Sequence, residues 1–482
     1  MRCDLGQVNR IDVLPDDVLL EIFDFYVDLN PWNPLDDTKE DKEAWQSLVH
    51  VCRRWRSLVF LSSRRLKLRL FCTSETPAKD TLDVWPALPL LVTGDMSSSS
   101  LAGTDNVIAA LGRSNHVREV FLWGITGKEV LAAMQVPFPE LTKLALHSDG
   151  ASEMLPVIPL PDSFLGGSAQ SLLIFDLRGI PFPGLPKLLL SSTHLLHLWL
   201  ENIPHSGYIS PEAIVALLSV LSSLITLSFK FQSPQSHPDS QSRSLPPPKR
   251  SILPALSRLD FKGVTEYLEE FVTRIDTPQL DQMHITFFNQ IDFYCPRLAQ
   301  FIICTPTLRA LDEAHMIFTD NTASVELRYR TSQSEFDNLE IAISCREPDW
   351  QLSSIEQACN SSLHPLSMIE DLYIEHRYSE LVWKNDAIEN TLWLELLLPF
   401  ATVKNLYLSK EFAPGIVAAL KELVGGGITG VLPRLENIFV QGLFGPSGLL
   451  QRNLGRFVSA RQLSGHQIAV SDWDEDSDTE SI

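Results

Sequence analysis

One short pattern of apolar positions, apolar-x-x-apolar-x-apolar, recurs along most of the chain. It occurs eleven times, at Val117/Val120/Leu122, Leu141/Leu144/Leu146, Leu172/Phe175/Leu177, Leu195/Leu198/Leu200, Leu224/Leu227/Phe229, Leu256/Leu259/Phe261, Leu280/Met283/Ile285, Leu298/Phe301/Ile303, Ile369/Leu372/Ile374, Val403/Leu406/Leu408 and Leu435/Ile438/Val440. The alternation at the end of each copy favours a strand with one buried face. We therefore expect eleven related strands.

Helical stretches separate these strands. The clearest are 211–221, with Ser210 as N-cap, 266–275, 352–359 and 416–424. A unit of one strand and one helix cannot bury its apolar edge alone, so the units must stack. Successive copies start mostly about 20 to 35 residues apart, which is the range of leucine-rich repeats. The pattern predicts an α/β repeat, an irregular leucine-rich-repeat solenoid or horseshoe, with a doubly wound α/β domain as the alternative.

Three segments do not follow the repeat. Residues 308–344 can be assigned only loosely. Residues 232–251 are rich in Ser, Pro and Gln, which predicts a disordered insertion between two repeat elements. Residues 471–482 carry six acidic and no basic residues, which predicts a solvated acidic tail.

A different pattern precedes the repeats. Pro15 suits the first position of a helix, and the acidic pair Asp16-Asp17 favours the positive end of that helix. The apolar residues that follow recur at steps of three and four and share one helical face: Val18, Leu19, Ile22, Phe23 and Tyr26. Second and third short helices are expected at 44–52 and 54–61, and a half-buried strand at 64–71.

Composition narrows the class of protein. Hydrophobic residues make up 44% of the 482 positions, enough for a substantial core. The chain carries 39 Lys+Arg against 60 Asp+Glu, a formal charge of −21, whereas a phosphate-backbone binder needs a basic footprint. The seven cysteines are scattered without a C-x-x-C pair, which favours a reducing compartment. With no secretory signal and no membrane-length apolar run, we expect a soluble cytoplasmic or nuclear protein.

The sequence shows no signature of bond chemistry. It lacks the phosphate-binding, zinc-protease and serine-nucleophile motifs. His194 and His197 lie among leucines and do not indicate zinc, and Cys295 and Cys304 are expected to be ordinary buried thiols. The pair Glu269-Glu270 is expected only to face solvent on a helix. We therefore expect no catalytic residue, metal or cofactor.

The N-terminal residues carry a family resemblance. Leu14-Pro15-x-x-Val18-Leu19-x-x-Ile22-Phe23, followed by Val51-Cys52-Arg53-Arg54-Trp55, resembles the F-box. The whole chain looks like the F-box proteins with degenerate leucine-rich repeats that are abundant in mushroom-forming fungi. It departs from that pattern by several additional residues at 36–43, which we expect to form a loop between the first two helices.

The resemblance implies a domain layout and a docking face. The layout is an N-terminal extension at 1–10, a three-helix F-box at 11–62, a repeat domain at 63–465 and an acidic disordered tail at 466–482. The face that binds or supports a Skp-type adaptor would consist of Leu14, Pro15, Val18, Leu19, Ile22, Phe23, Val51, Cys52 and Trp55. Of these, Leu14, Pro15 and Leu19 are expected to touch the adaptor, and Phe23 and Trp55 to be internal.

The resemblance also implies a function. The chain would be a substrate receptor of a Skp–cullin–F-box ubiquitin ligase, linked through the adaptor to a cullin–RING scaffold and holding an unknown protein substrate on its repeats. Alternatives are a scaffold that binds the adaptor without ubiquitylation, a non-catalytic leucine-rich-repeat interaction protein, or an enzyme hidden in the repeats. Side chains expected on the inner face of the repeats are Lys143, His197, Trp199, Tyr373 and Tyr407.

Overall fold

The structure is a computed structural model that divides into two compact units, Met1–Ser192 and Thr193–Ile482. It describes residues 14–28, 48–61, 68–73, 78–84, 88–97, 101–148, 159–182, 185–234, 250–290, 293–309, 311–330, 338–377, 389–423, 430–443 and 448–473.

The first unit alternates helices and strands. Its helices are α1 (Asp16–Asp28), α2 (Arg53–Leu61), α3 (Ala78–Val84), α4 (Leu101–Leu111), α5 (Lys128–Ala133) and α6 (Leu185–Leu189). Its strands are β1 (Leu68–Phe71), β2 (Leu90–Asp95), β3 (Val117–Trp123), β4 (Lys143–His147) and β5 (Ile174–Arg178). The five strands pair in parallel and in chain order. The predicted second helix, 44–52, and the start of the predicted strand, 64–71, lie largely outside the described residues.

The second unit also alternates strands and helices, and it has more strands than the first unit. Its strands are β6 (His197–Ile203), β7 (Thr226–Phe231), β8 (Ser251–Ile252), β9 (Arg258–Gly263), β10 (Ile275–Asp276), β11 (Gln282–Phe288), β12 (Glu313–Phe318), β13 (Thr322–Arg328), β14 (Leu339–Ser344), β15 (Asp371–His376), β16 (Asn405–Leu408), β17 (Asn437–Gln441) and β18 (Ala469–Trp473). Its helices are α7 (Pro211–Leu218), α8 (Thr265–Val272), α9 (Pro296–Cys304), α10 (Pro348–Ser362), α11 (Asn390–Leu397), α12 (Ala413–Glu422) and α13 (Leu449–Leu463).

The main sheet of the second unit is mostly parallel. Its strand order is β6-β7-β9-β11-β14-β13-β12-β15-β16-β17-β18, and β8 and β10 form a separate parallel pair. Within the described residues, antiparallel pairing is confined to β12–β13 and β13–β14. Consecutive helices contact one another beside the sheet. The prediction of an α/β repeat is confirmed at this level.

Ten of the eleven predicted repeat strands are present. In each of the ten, all three apolar positions are at most 3% exposed, and the last two belong to a strand. A backbone feature also repeats, because the carbonyl before one strand accepts two successive N–H groups at the start of the next. The carbonyl of Glu370 accepts from Lys404 and Asn405, and that of Lys404 accepts from Glu436 and Asn437. The same pair of backbone hydrogen bonds at successive strand starts is typical of a repeat protein and not of a doubly wound α/β domain.

The one remaining prediction of a repeat strand, at Leu298/Phe301/Ile303, is wrong. Leu298, Phe301 and Ile303 lie on helix α9, which begins with Pro296 at its first turn. Leu298, Phe301 and Ile302 are buried, and Ile303 is only half-buried. The steps of three and four between the buried residues are those of a helix face, so helical packing determined this segment.

The loosely assigned zone 308–344 contains three strands. Strand β12 takes the repeat position next to β15, whereas β13 and β14 run back and forth between β12 and β11. The additional antiparallel strands explain why the parallel repeat pattern could not be read here.

The helices predicted between the repeat strands are present with small shifts in their ends. Ser210 caps α7, where its hydroxyl accepts a hydrogen bond from the Ala213 N–H at 3.3 Å. The expectation for Glu269-Glu270 is wrong, because both carboxylates have specific partners. Glu269 accepts from the N–H groups of Arg297 and Leu298 at the start of α9, and Glu270 pairs with the buried Arg274 at 2.5 Å.

The repeat sheet extends further than predicted at its C-terminal end. Residues 469–473 of the expected tail form β18, which pairs in parallel with β17. The rest of that tail, from residue 474, and most of the predicted insertion, 235–249, lie outside the described residues. Among the described residues, no helix combines the length and apolarity needed to cross a membrane.

Candidate functional site

The repeat sheet of the second unit has two different faces. Helices cover one face, as shown by Phe318 of β12, which packs with its ring centroid 6.5 Å from that of Trp393 on α11 and 5.1 Å from that of Phe412. Because strand side chains alternate, residues between these buried positions point to the opposite side. We call that side the open face.

An aromatic row crosses the open face of β12, β15, β16 and β17. It consists of His315, Tyr373, Tyr407 and Phe439, which are paired directly across the strands. The rings are stacked, with centroids 4.2 Å apart for His315–Tyr373, 4.1 Å for Tyr373–Tyr407 and 4.5 Å for Tyr407–Phe439. We call this set the aromatic ladder.

Trp473, at the end of β18, lies against the aromatic ladder. Its ring centroid is 5.9 Å from that of Tyr373 and 5.6 Å from that of Tyr407, with interplanar angles of 61° and 68°. The tryptophan therefore crosses the edges of both stacked rings. Tyr373, Tyr407, Phe439 and Trp473 are all only partly buried, so the cluster offers an apolar contact surface.

A polar row runs beside the aromatic ladder. Asn405 donates to Asp371 at 2.5 Å, and Asn437 donates to Asn405 at 2.7 Å, so side-chain amides link three neighbouring strands. Arg330 pairs with the nearly buried Asp371. These bonds satisfy the Asp371 carboxylate and hold the neighbouring strands in register beside the aromatic ladder.

His315 anchors the other end of the ladder. Its Nε2 lies 2.8 Å from Glu313 Oε1 and its Nδ1 lies 3.1 Å from Glu375 Oε1, while Arg328 also contacts the ring. Burial alone would lower the pKa of His315, but the hydrogen bonds to Glu313 and Glu375 raise it overall. Burial would conversely raise the pKa values of the two glutamates, but their bonds to His315 lower them. The arrangement is that of a protonated imidazole between two carboxylates.

A similar charged group lies earlier on the open face of the same unit. Asp260 Oδ1 is 3.0 Å from His284 Nδ1 and 3.1 Å from Arg258 Nε. Burial would raise the pKa of Asp260, but these two partners lower it. In the first unit, Asp176 contacts His147 at 3.0 Å and Arg178 at 3.2 Å. In each unit, histidine and arginine side chains of the sheet therefore surround the carboxylate, Asp260 in the second unit and Asp176 in the first.

Four of the side chains expected on the inner face, His197, Trp199, Tyr373 and Tyr407, lie on this open face, and Lys143 has the corresponding alternating position on β4 of the first unit. Lys143, His197, Trp199, Tyr373 and Tyr407 alternate with buried strand residues and are all half-buried. Phe439 was missed, although it occupies the same position between Ile438 and Val440. Trp473 was missed because its segment reads as an acidic tail.

The polar residues singled out in the sequence do not form a metal site. His194 is exposed, while His197 stacks on Trp199 with ring centroids 5.3 Å apart. Cys295 is buried but Cys304 is exposed, so the expectation of two buried thiols is wrong for the second. In the part of the chain that the structure describes, no three His, Cys, Asp or Glu side chains are grouped as metal ligands.

A second surface lies on the N-terminal helix of the first unit. Four large apolar side chains of α1 are exposed: Val18 at 40%, Ile22 at 45%, Phe25 at 68% and Tyr26 at 43%. Steps of three, four and one place them along one side of the helix. We call this set the α1 stripe.

Contacts beneath the α1 stripe fix α1 on α2. Phe23 packs on Trp55 with ring centroids 4.7 Å apart. Arg54 bonds Asp16 Oδ1 at 2.6 Å and the Leu14 carbonyl at 2.5 Å. The start of α1 is therefore tied to α2 while the stripe faces outward.

The residues predicted for adaptor binding fall into three groups. Pro15, Val18, Ile22 and Val51 are exposed, and Leu14, Cys52 and Trp55 are half-buried, whereas Leu19 and Phe23 are buried at 1% and 2% exposure. The expectation that Leu19 touches a partner is therefore wrong, because its side chain supports the face from inside. Phe25 and Tyr26 extend the exposed face; Tyr26 was placed on it by periodicity, whereas Phe25 was missed.

The fold and its surfaces define an α/β repeat protein with a mostly parallel sheet. No protein-family model matches the chain. No curated protein matches it either. Among solved structures, the chain is similar to the leucine-rich repeat-containing protein LegL7 from Legionella pneumophila, at 12% identity over 82% of this chain and 98% of that chain, with a TM-score of 0.28.

Proposed function

We propose that the chain is a substrate-receptor subunit of a Skp–cullin–F-box ubiquitin ligase. The α1 stripe would bind the Skp-type adaptor, and the open face of the repeats would bind a protein substrate. The observation that carries the proposal is the α1 stripe itself, because four large apolar side chains on a fixed helix are unusual without a partner to cover them.

The N-terminal motif supports the same proposal. Val18 and Ile22 are motif positions and are exposed, while Phe23 and Trp55, also motif positions, pack against each other. A docking module needs this division between outward contacts and internal supports. The resemblance of these residues to the F-box supplies the identity of the partner.

In this proposal the chain contributes binding and no bond chemistry. A cullin–RING scaffold joined through the adaptor would bring a ubiquitin-loaded enzyme near the captured substrate. Holding two reactants on one assembly raises their effective concentration, which accelerates transfer by proximity. The proposed location is the cytoplasm or nucleus, where such an assembly would meet the chain.

The test is adaptor capture by the full-length chain. We expect the double substitution Val18→Ser with Ile22→Ser to reduce co-purification of a Skp-type adaptor at least tenfold, because central interface anchors cost about 2 kcal/mol or more each. Both side chains are exposed, so the unfolding transition should stay unchanged. Leu14→Ala with Pro15→Ala, at the start of the same helix, should also reduce capture.

Val136→Ser is the matched control. Val136 is 46% exposed but follows α5, outside the residues that resemble the F-box, so its variant should capture the adaptor normally. Undiminished capture by the Val18/Ile22 variant would contradict adaptor docking. Normal capture without ubiquitylation of co-purified partners, with an active cullin present, would instead favour the scaffold alternative.

A further inference from the structure

Strand β18 ends the sheet of the second unit with a free edge. Ala469–Trp473 pairs with β17 on one side, and no described strand pairs with its other side. The strand has five residues and contains neither proline nor lysine, the residues that commonly protect an edge. A free edge offers a row of backbone donors and acceptors to another chain.

The outward backbone groups of β18 can be assigned. The N–H of Ala469 bonds the carbonyl of Glu436, toward β17. Because backbone groups alternate sides along a strand, the N–H and C=O groups of Val470 and Asp472 point away from β17. Asp472 also accepts from the N–H of Leu443 at 2.8 Å, which fixes the strand to the preceding loop.

The negative charge of the chain favours one kind of binding partner at this edge. Strand β18 carries one charged residue, the acidic Asp472, and the chain as a whole has a formal charge of −21. A second copy of the same strand would bring like charges together, which is unfavourable. A cationic strand would instead be attracted to the negatively charged chain.

The open face next to the edge adds an apolar contact. Trp473 lies on this face, over the edges of Tyr373 and Tyr407. A strand added beside β18 would place alternate side chains next to Trp473 and Ser471. An apolar side chain there would extend the aromatic cluster, and a lysine or arginine would lie near the tryptophan ring, which attracts cations.

We infer that β18 binds an extended, basic segment of a partner protein, which adds a strand to the sheet. This inference rests on the proposed role of the repeats in holding a protein partner and names the class of segment held. An incoming segment of about five residues would span the edge, at roughly 3.3 Å per residue.

The experiment measures binding of a fluorescent peptide of alternating Lys and Val to the full-length chain by anisotropy. We expect saturable binding, at least tenfold weaker for the analogue with Glu in place of Lys. An N-methylated form of the Lys-Val peptide, which keeps its charge but cannot pair as a strand, should also bind at least tenfold more weakly.

The matched protein variants are Val470→Pro and Val470→Ala. The proline removes one outward N–H and is tolerated at a free edge, while the alanine keeps that N–H. We expect at least tenfold weaker binding for Val470→Pro and no more than a twofold change for Val470→Ala. Adaptor capture by both variants is measured in parallel. Normal capture shows that the variants are folded, and it tests the proposed function independently of peptide binding.

Three results would overturn the inference. They are absence of binding by the Lys-Val peptide, equal binding by its N-methylated form, and equal binding by Val470→Pro. The last two would show attraction to the acidic chain as a whole without strand pairing. Undiminished adaptor capture by the α1 variants, with peptide binding retained, would contradict the proposed adaptor docking and leave the edge site in place.

Discussion

At the residue scale, His315 joins two strands through opposite charges. Its ring bonds Glu313 on its own strand and Glu375 on β15, and stacks on Tyr373 of the aromatic ladder. The ring is 4% exposed, and Arg328 faces it from β13. A buried charged group with several partners costs much to disrupt, because removing one member takes a charged partner from the others.

The pKa shifts in this group predict a window of stability. The pKa of His315 is raised, so its contribution is full below about pH 6.5 and is lost as pH rises through the raised pKa. The pKa values of Glu313 and Glu375 are lowered, so their contribution is full above about pH 4.5 and is lost as pH falls. The group should stabilise the second unit most between these two limits.

We predict that His315→Gln lowers the free energy of unfolding by about 3 kcal/mol at pH 5.5, because it removes the charged partner that two buried carboxylates share. The loss should be smaller at pH 9, where the native imidazole is itself less protonated. Urea unfolding at the two pH values measures both quantities. His466→Gln, at an exposed position, is the control and should change little. Equal losses at both pH values would show that the charge of His315 is unimportant.

At the scale of elements, helix α9 is stabilised by its neighbour. Glu269 of α8 accepts from the Leu298 N–H at 2.7 Å and from the Arg297 N–H at 3.1 Å, which satisfies two donors at the start of α9. Such donors have no partner within their own helix. Burial raises the pKa of Glu269 despite these bonds, which are those of its charged form.

We predict that Glu269→Ala lowers the free energy of unfolding by about 1 to 2 kcal/mol, the cost of removing a helix cap. Hydrogen exchange should increase at the N–H groups of Arg297 and Leu298 in particular. Glu266→Ala, on the exposed side of the same helix, should have an effect within about 0.5 kcal/mol. Equal effects of Glu269→Ala and Glu266→Ala would show that Glu269 acts only through the negative charge that it adds to the helix.

At the scale of the whole molecule, the net charge of −21 determines which partners can approach. Several basic side chains of the open face are already paired with acidic neighbours, as in Arg258–Asp260, Arg328–Glu313 and Arg377–Glu375. A strongly negative surface repels polyanions over distances of about a Debye length, roughly 8 Å at physiological salt. Protein partners with basic segments are favoured instead.

We predict that the full-length chain does not bind duplex DNA at about 0.15 M salt, because binding needs lysines and arginines to replace counterions on the phosphates. A gel-shift titration with a random 30-base-pair duplex tests this, with a basic protein of similar size as positive control. A shift at micromolar protein concentration would reveal a basic footprint that the paired side chains do not provide.

The sequence predicted the repeat and ten of its strands because burial repeats with the covalent spacing. Leu372 and Ile374, for example, must be buried together in any strand that contains both. It also placed the N-terminal helix and the alternation that puts Tyr373 and Tyr407 on one face. These are consequences of local periodicity, which each segment carries by itself.

Only the tertiary structure decided which of two compatible local patterns is adopted and which exposed positions meet. Leu298 to Ile303 fits both a strand and a helix, and packing selected the helix. Leu19 shares a face with Val18 in the sequence pattern, yet in the folded unit Leu19 is 1% exposed and Val18 is 40% exposed. Trp473, in an acidic segment, becomes a strand residue because β17 supplies the hydrogen-bonding partner that its own sequence cannot.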